Sequence, residues 1–252
     1  MVHVWRATSD VDLESAARFE RTLSQSERDR AARFATPELR RRFAVRRGLL
    51  RWILSRYLDL APEQVELRAA ASGKPEPAAG GSLRFSPASS GACTLVAVTL
   101  GREVGVDVER IRTVAAEPVA ARFFAAHEVA ALRELSPPAR ERLFFSLWVR
   151  KEALAKATGE GLGAALDTLA VPVSGCEGAC VTTARGDRWS LHDVPLDDEH
   201  VAAVAAGGLP FRVEALSPAA EAMLLASHDS NNTARAKGGV LAVPARARQA
   251  PL

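Results

Sequence analysis

A chain of 252 residues, 48% hydrophobic and 25% charged, has the size and composition of a soluble globular protein with a substantial core. No apolar run approaches the ~20 residues that span a bilayer, and Met1-Val2-His3-Val4-Trp5 lacks the basic start and apolar centre of a signal peptide, so the expected compartment is the cytoplasm. The net charge of +3 is modest, and lysine occurs only at Lys74, Lys151, Lys156 and Lys237, with arginine supplying the other basic residues.

Val2–Ala7 reads as a short strand, followed by arginine-rich helical material. Pro37 can occupy the first turn of a helix. From Glu38 to Tyr57, Leu39, Phe43, Leu50, Ile53, Leu54 and Tyr57 recur at helical spacing. Arg46 falls in the middle of that apolar stripe, where a guanidinium needs an anionic partner or a route to solvent. Gln64–Ala70 reads as a strand, Ala71-Ser72-Gly73-Lys74-Pro75 as a turn and Pro77–Ser82 as a loop. Leu83–Ser86 and Thr94–Leu100 read as strands flanking the loop Pro87-Ala88-Ser89-Ser90-Gly91. A hairpin at Gly101 leads into a third strand.

Pro118–Leu135 is predicted helical and is broken by Pro137-Pro138. A second helix runs from Arg140 to Thr158 and ends at Gly159-Glu160-Gly161. Short strands are expected at Thr168–Val173, Trp189–Val194, Val201–Ala205 and Arg212–Ala215. From about Ala226 the composition turns to Ser, Asn, Ala, Gly, Pro and Arg without periodicity, which predicts a disordered tail over 226–252. Cys93, Cys176 and Cys180 are too few and too poorly spaced for a disulfide framework or a structural zinc site.

The chemistry concentrates in two segments. In Gly105-Val106-Asp107-Val108-Glu109 the valines point to one strand face and the two acids to the other. Two carboxylates roughly 7 Å apart along one strand face repel each other unless a cation lies between them. In Trp148-Val149-Arg150-Lys151-Glu152-Ala153-Leu154-Ala155-Lys156 a third carboxylate joins two ammonium groups on a helix. Glu152 and Lys156, four apart, could form a surface helix pair of a few tenths of a kcal/mol, but that leaves Lys151 on the apolar side unexplained. Three acids with nearby lysines suit a hard metal holding a phosphorylated substrate.

These segments, together with Arg122-Phe123-Phe124-Ala125-Ala126-His127-Glu128 and with Gly159, resemble the ordered motifs of the 4′-phosphopantetheinyl transferase superfamily. Gly73-Lys74-Pro75 and the helix bearing Arg46 resemble the N-terminal half of its long, single-chain, surfactin-synthetase-activating type. The resemblance covers roughly residues 30–175. It implies an α+β fold of two similar halves related by a pseudo-twofold axis, dividing near residue 103 into 1–103 and 104–225, with coenzyme A in the cleft between them.

The implied reaction moves the 4′-phosphopantetheine arm of coenzyme A onto a serine of an apo carrier protein and releases adenosine 3′,5′-bisphosphate. The carrier would be a protein or domain of a polyketide, nonribosomal peptide or fatty-acid synthase; neither nucleic acid nor membrane is an expected partner, and a monomer is the expected state. Mg²⁺ would be held by Asp107, Glu109 and Glu152. Glu152 would accept the serine proton and Lys156 would pair with phosphates. Arg46 and Lys74 match positions that contact the nucleotide phosphates. Glu128 either assists the metal or is an exposed helix acid.

One departure stands out. The family's Ser-His-Ser-Gly-like loop, whose histidine touches a coenzyme A phosphate, reads here Ala88-Ser89-Ser90-Gly91, so Ser89 takes the histidine position without charge and with a shorter reach. The alternative readings are a degenerate, non-catalytic protein that binds coenzyme A or a carrier, and a metal-dependent phosphohydrolase. The intact set of acids disfavours the first, and the lack of a His-rich two-metal pattern disfavours the second.

Overall fold

The computed structural model describes residues 1–70, 73–79, 81–160, 166–183 and 185–218. The tail expected over 226–252 lies outside the described residues. The class is α+β, as predicted. The described chain divides into two compact units, one comprising Met1–Arg6, Ala69–Glu76 and Ser82–Leu216, the other Ala7–Arg68 with Pro77–Gly81.

The smaller unit is helical. Helix α1 (Leu13–Arg21) starts at Asp12, whose side chain accepts from Ser15 N, and α2 (Gln25–Ala32) starts at Ser24 in a reciprocal capping box with Glu27. Pro37 opens the long helix α3 (Pro37–Leu58), and Asp59 closes it in the left-handed region. Gly48 on α3 lies against Phe19 on α1, where a Cβ would come within 2.6 Å of the Phe19 Cβ.

The arginine that α3 truly buries is Arg51, not Arg46. Arg51 Nε donates to Glu27 Oε2 at 2.8 Å and its Nη1 to Val65 O at 2.7 Å. Arg46 is only half-buried, and Leu39, expected on the apolar face, is 47% exposed. The buried face is rotated toward Val45, Leu49, Trp52 and Ile53.

The larger unit carries two four-stranded sheets. One has the order β10-β1-β5-β4, built from β1 (Val2–Thr8), β4 (Leu83–Ser90), β5 (Cys93–Leu100) and β10 (Val213–Leu216); β10 pairs parallel with β1. The other has the order β6-β9-β8-β7, built from β6 (Val104–Arg110), β7 (Glu177–Thr182), β8 (Arg188–Asp193) and β9 (His200–Gly207), antiparallel throughout. Between β1 and β4 the short strands β2 (Leu67–Ala69) and β3 (Pro75–Pro77) pair as a ribbon.

β4 runs four residues beyond its predicted end, through Pro87 to Ser90, and turns at Gly91 with φ +58°. Pro87 is tolerated because β4 is the last strand of its ladder, where a missing N–H costs little.

Alternation along β6 separates two cores. Val104, Val106 and Val108 join Leu95, Ala97 and Val204 on one side. The opposite side of the same sheet packs α4 (Ala116–Phe123), α5 (Ala126–Arg133) and α6 (Pro137–Thr158) through Phe124, Phe144, Leu147, Ala153 and Leu154.

Three further predicted elements differ. The strand expected over Gln64–Ala70 is reduced to Leu67–Ala69 and is preceded by a 3₁₀ turn, Pro62–Gln64. The helix expected over Pro118–Leu135 is interrupted at Phe124, which is extended and buried and stacks on Phe144 at 5.3 Å. The strand expected at Thr168–Val173 is instead a single 3₁₀ turn, Leu166–Thr168, followed by irregular chain, and the strand forms later as β7. Its backbone groups are claimed elsewhere. Lys151 Nζ donates to Leu166 O at 2.8 Å and Leu169 O at 2.6 Å, while Val171 N donates to Glu128 Oε1 at 2.8 Å.

Candidate active site

Helix α6 is buried nearly all round in its second half, so its polar side chains must find partners or cost free energy. Two of them do. Arg150 makes a bidentate pair with Asp193, at 2.8 Å and 2.6 Å, and donates to Pro172 O at 2.7 Å. The same Asp193 accepts from Cys176 Sγ at 3.2 Å, and burial pushes the Cys176 thiol up to about 12, so this cysteine is inert.

Lys151 and Glu128 form an ion pair of 2.8 Å between side chains that are both 0% exposed. Glu128 also accepts from Ala125 N at 2.8 Å. The two readings of Glu128 offered by the sequence, metal assistant or exposed acid, are therefore both replaced by a third. It is the buried counter-ion of Lys151, and the pair explains a lysine on an apolar helix face.

Glu152 is the exception on α6. It is buried, and among the described residues its Oε1 has no hydrogen-bond partner; the same is true of Asp107 Oδ2. The helix meets β6 at Gly105, on the strand face that also carries Asp107 and Glu109. A Cβ on Gly105 would lie 2.0 Å from Ala153 O and 2.5 Å from Ala157 N. That close approach brings the α6 side chains over the acids. Lys156 Nζ donates to Asp107 Oδ1 at 2.7 Å and to Val106 O at 3.2 Å.

The fields of the three acids overlap. Burial first, then the Asp107 and Glu109 charges, lift Glu152 to about 7, with Lys156 opposing. Burial also raises Asp107, against the pull of Lys156. Glu109 is held by Ser90 Oγ at 2.9 Å and Arg112 Nη1 at 3.2 Å, both on Oε2.

Among the described residues no group of three or more His, Cys, Asp or Glu side chains is placed so that it could by itself hold a metal ion. What the site offers is a hard, all-oxygen donor set with two buried, unsatisfied carboxylate oxygens. That combination fits a divalent cation of the Mg²⁺ type, which keeps waters and is bound by a few carboxylates rather than an all-protein cage.

The remaining residues singled out by sequence are on other elements. Lys74, in the larger unit, donates to Glu103 Oε2 at 2.9 Å and Val104 O at 2.8 Å, and Glu103 Oε1 accepts from Arg84 Nε at 2.7 Å. Ser89 is exposed on β4, opposite Thr94. Arg46 belongs to the smaller unit, where burial and the neighbouring Arg42 depress its pKa.

Sequence reasoning missed Ser86 and Ser90, whose hydroxyls accept from Val106 N at 3.2 Å and Arg110 N at 3.0 Å. The only trace in the sequence is a common offset of twenty residues, legible once the two strands are known to run side by side.

The chain is similar in sequence to known proteins. The family model for the 4′-phosphopantetheinyl transferase superfamily matches residues 103–205, which include β6 and α6. The 4′-phosphopantetheinyl transferase HetI of Nostoc sp. is 39% identical over 215 residues, covering 84% of this chain and 90% of that protein. The 4′-phosphopantetheinyl transferase Sfp of Bacillus subtilis is 29% identical over 164 residues, covering 60% of this chain and 72% of its own length. A phosphopantetheinyl transferase of Thraustochytrium sp. is 27% identical over 206 residues, or 75% and 72% of the two chains. With its acidic strand and the Glu152–Lys156 helix meeting at Gly105, this chain belongs to the 4′-phosphopantetheinyl transferase superfamily and is an enzyme of that class.

Proposed function

We propose that this protein transfers the 4′-phosphopantetheine moiety of coenzyme A to a serine of an apo acyl or peptidyl carrier protein, depends on Mg²⁺, and releases adenosine 3′,5′-bisphosphate. The carrier belongs to a polyketide, nonribosomal peptide or fatty-acid synthase, and the enzyme works in the cytoplasm as a monomer. The family's two-half plan, divided near residue 103, is part of this reading. Support comes from the named relatives and from one observation above all: two buried carboxylate oxygens, Asp107 Oδ2 and Glu152 Oε1, lacking hydrogen-bond partners among the described residues, with Lys156 on Asp107.

The serine oxygen attacks the β-phosphorus of the pyrophosphate, and the phosphorus–oxygen bond to the adenosine bisphosphate breaks. Asp107, Glu109 and Glu152 would hold Mg²⁺, which when bound offsets charge on the pyrophosphate oxygens. Glu152 accepts the serine proton, directly or through one water. Lys156, one-third exposed beside Asp107, offers a point charge to the phosphates. Arg46, Lys74 and Ser89 are assigned to coenzyme A on the strength of their motif positions.

The test incubates the protein with Mg²⁺, coenzyme A and an apo carrier domain and weighs the carrier by mass spectrometry. A gain of one phosphopantetheine is expected, and none with Asp107→Ala in a folded protein. Coenzyme A binding without transfer would instead select the non-catalytic binder, and cleavage of coenzyme A without a carrier would select the hydrolase.

A further inference from the structure

β4 and β6 lie side by side in the larger unit, joined by side chains. Ser86 Oγ accepts from Val106 N at 3.2 Å and Ser90 Oγ accepts from Arg110 N at 3.0 Å, a parallel register with the same twenty-residue offset at both points. Ala88 stands between the two serines on the same strand face.

The two serines are not equivalent. Ser86 is buried, and among the described residues its hydroxyl bonds only to the backbone of β6. Ser90 in addition donates to Glu109 Oε2 at 2.9 Å. Its hydroxyl therefore spends its proton on the carboxylate and a lone pair on the backbone one residue further along. The second group on the same carboxylate oxygen is Arg112 Nη1, at 3.2 Å from a side chain that is 57% exposed, and an exposed ion pair constrains a rotamer weakly. Ser90 sits at the end of β4, immediately before the turn at Gly91, so it is held by the ladder with β5.

We infer that Ser90 is a positioning residue for Glu109, fixing the rotamer of a carboxylate that would help hold the divalent cation, whereas Ser86 serves only to join the two strands. The inference rests on the metal reading of Asp107, Glu109 and Glu152 given above. Groups that orient a metal's ligands commonly change metal affinity about 10- to 100-fold when removed.

The experiment measures Mn²⁺ binding to the full chain by electron paramagnetic resonance, with thermal unfolding of the metal-free protein alongside. Ser90→Ala should weaken Mn²⁺ binding by about tenfold or more, Ser90→Thr should restore it, and Ser86→Ala should lower the unfolding temperature without changing Mn²⁺ affinity. Unchanged Mn²⁺ affinity in Ser90→Ala, or equal weakening in Ser86→Ala, overturns the positioning role while leaving the metal site standing. Absence of Mn²⁺ binding in the unmodified protein overturns the metal reading and this inference with it.

Discussion

Gly105 and Ala153 are in backbone contact: a Cβ at Gly105 would lie 2.0 Å from the Ala153 carbonyl oxygen, far inside any real Cβ contact. The absent side chain lets α6 lie directly on β6, and the height of that helix decides where Glu152 and Lys156 stand relative to Asp107.

Gly105→Ala should therefore damage activity more than the fold. Overpacking of this kind costs about 1–3 kcal/mol, spread over a helix buried along two turns. Urea unfolding should show that loss, and carrier modification should fall by a larger factor than the fraction unfolded explains. Full transfer activity in this variant would mean that the helix can lift without disturbing the acids.

Lys151 and Glu128 are both 0% exposed, and each is bonded to backbone groups as well as to the other. Removing one member leaves a buried charge without its partner, which costs about 3–5 kcal/mol. Glu128→Gln and Lys151→Met should each lower stability by that order. The double variant should lose less than the sum, as read from a cycle of urea denaturation curves. A strictly additive double variant would show that the two side chains do not depend on each other.

Glu152 titrates at about 7 in the folded protein against an ordinary value of 4.5. With the folded value raised, the native state binds more protons than the unfolded state between those limits. Stability from this group is full below 4.5 and is lost as the pH rises through 7. Metal-free protein should thus gain stability from Glu152→Gln progressively over that window, measured as unfolding temperature against pH. Mg²⁺ should raise the unfolding temperature of the unmodified protein at pH 7.5 and that of the variant much less.

Ser89 is exposed on β4, and the motif resemblance would set it at the position of a histidine that meets coenzyme A. Ser89→His should lower the KM for coenzyme A with little change in kcat, because the added imidazole contacts the donor in both ground and transition states. A single such hydrogen bond is worth about 1 kcal/mol, roughly fivefold. An unchanged KM would show that this end of the hairpin no longer meets the donor.

Strand and helix periodicity, read from single residues, located β1, β5, β6, α3 and α6 to within a few positions, because each carries a long run with one apolar face. The motif order in β6 and α6 also carried the resemblance to the family. What periodicity could not decide was which charged residue meets which. Arg46 and Arg51 are near neighbours on one helix, and only the position of Glu27 on α2 makes Arg51 the buried member.

Lys151 and Glu128 are far apart in the chain, and their meeting consumes backbone groups of 166–171 that would otherwise have been free to enter a strand. The alternation of valine and acid along β6 was set by local geometry and could be read directly. The hydroxyl of Ser90 on Glu109, the gap at Gly105 and the unsatisfied oxygen of Glu152 exist only after β4, β6 and α6 have packed. Hydrogen bonds and ion pairs act over a few ångströms in space, whatever their separation along the chain.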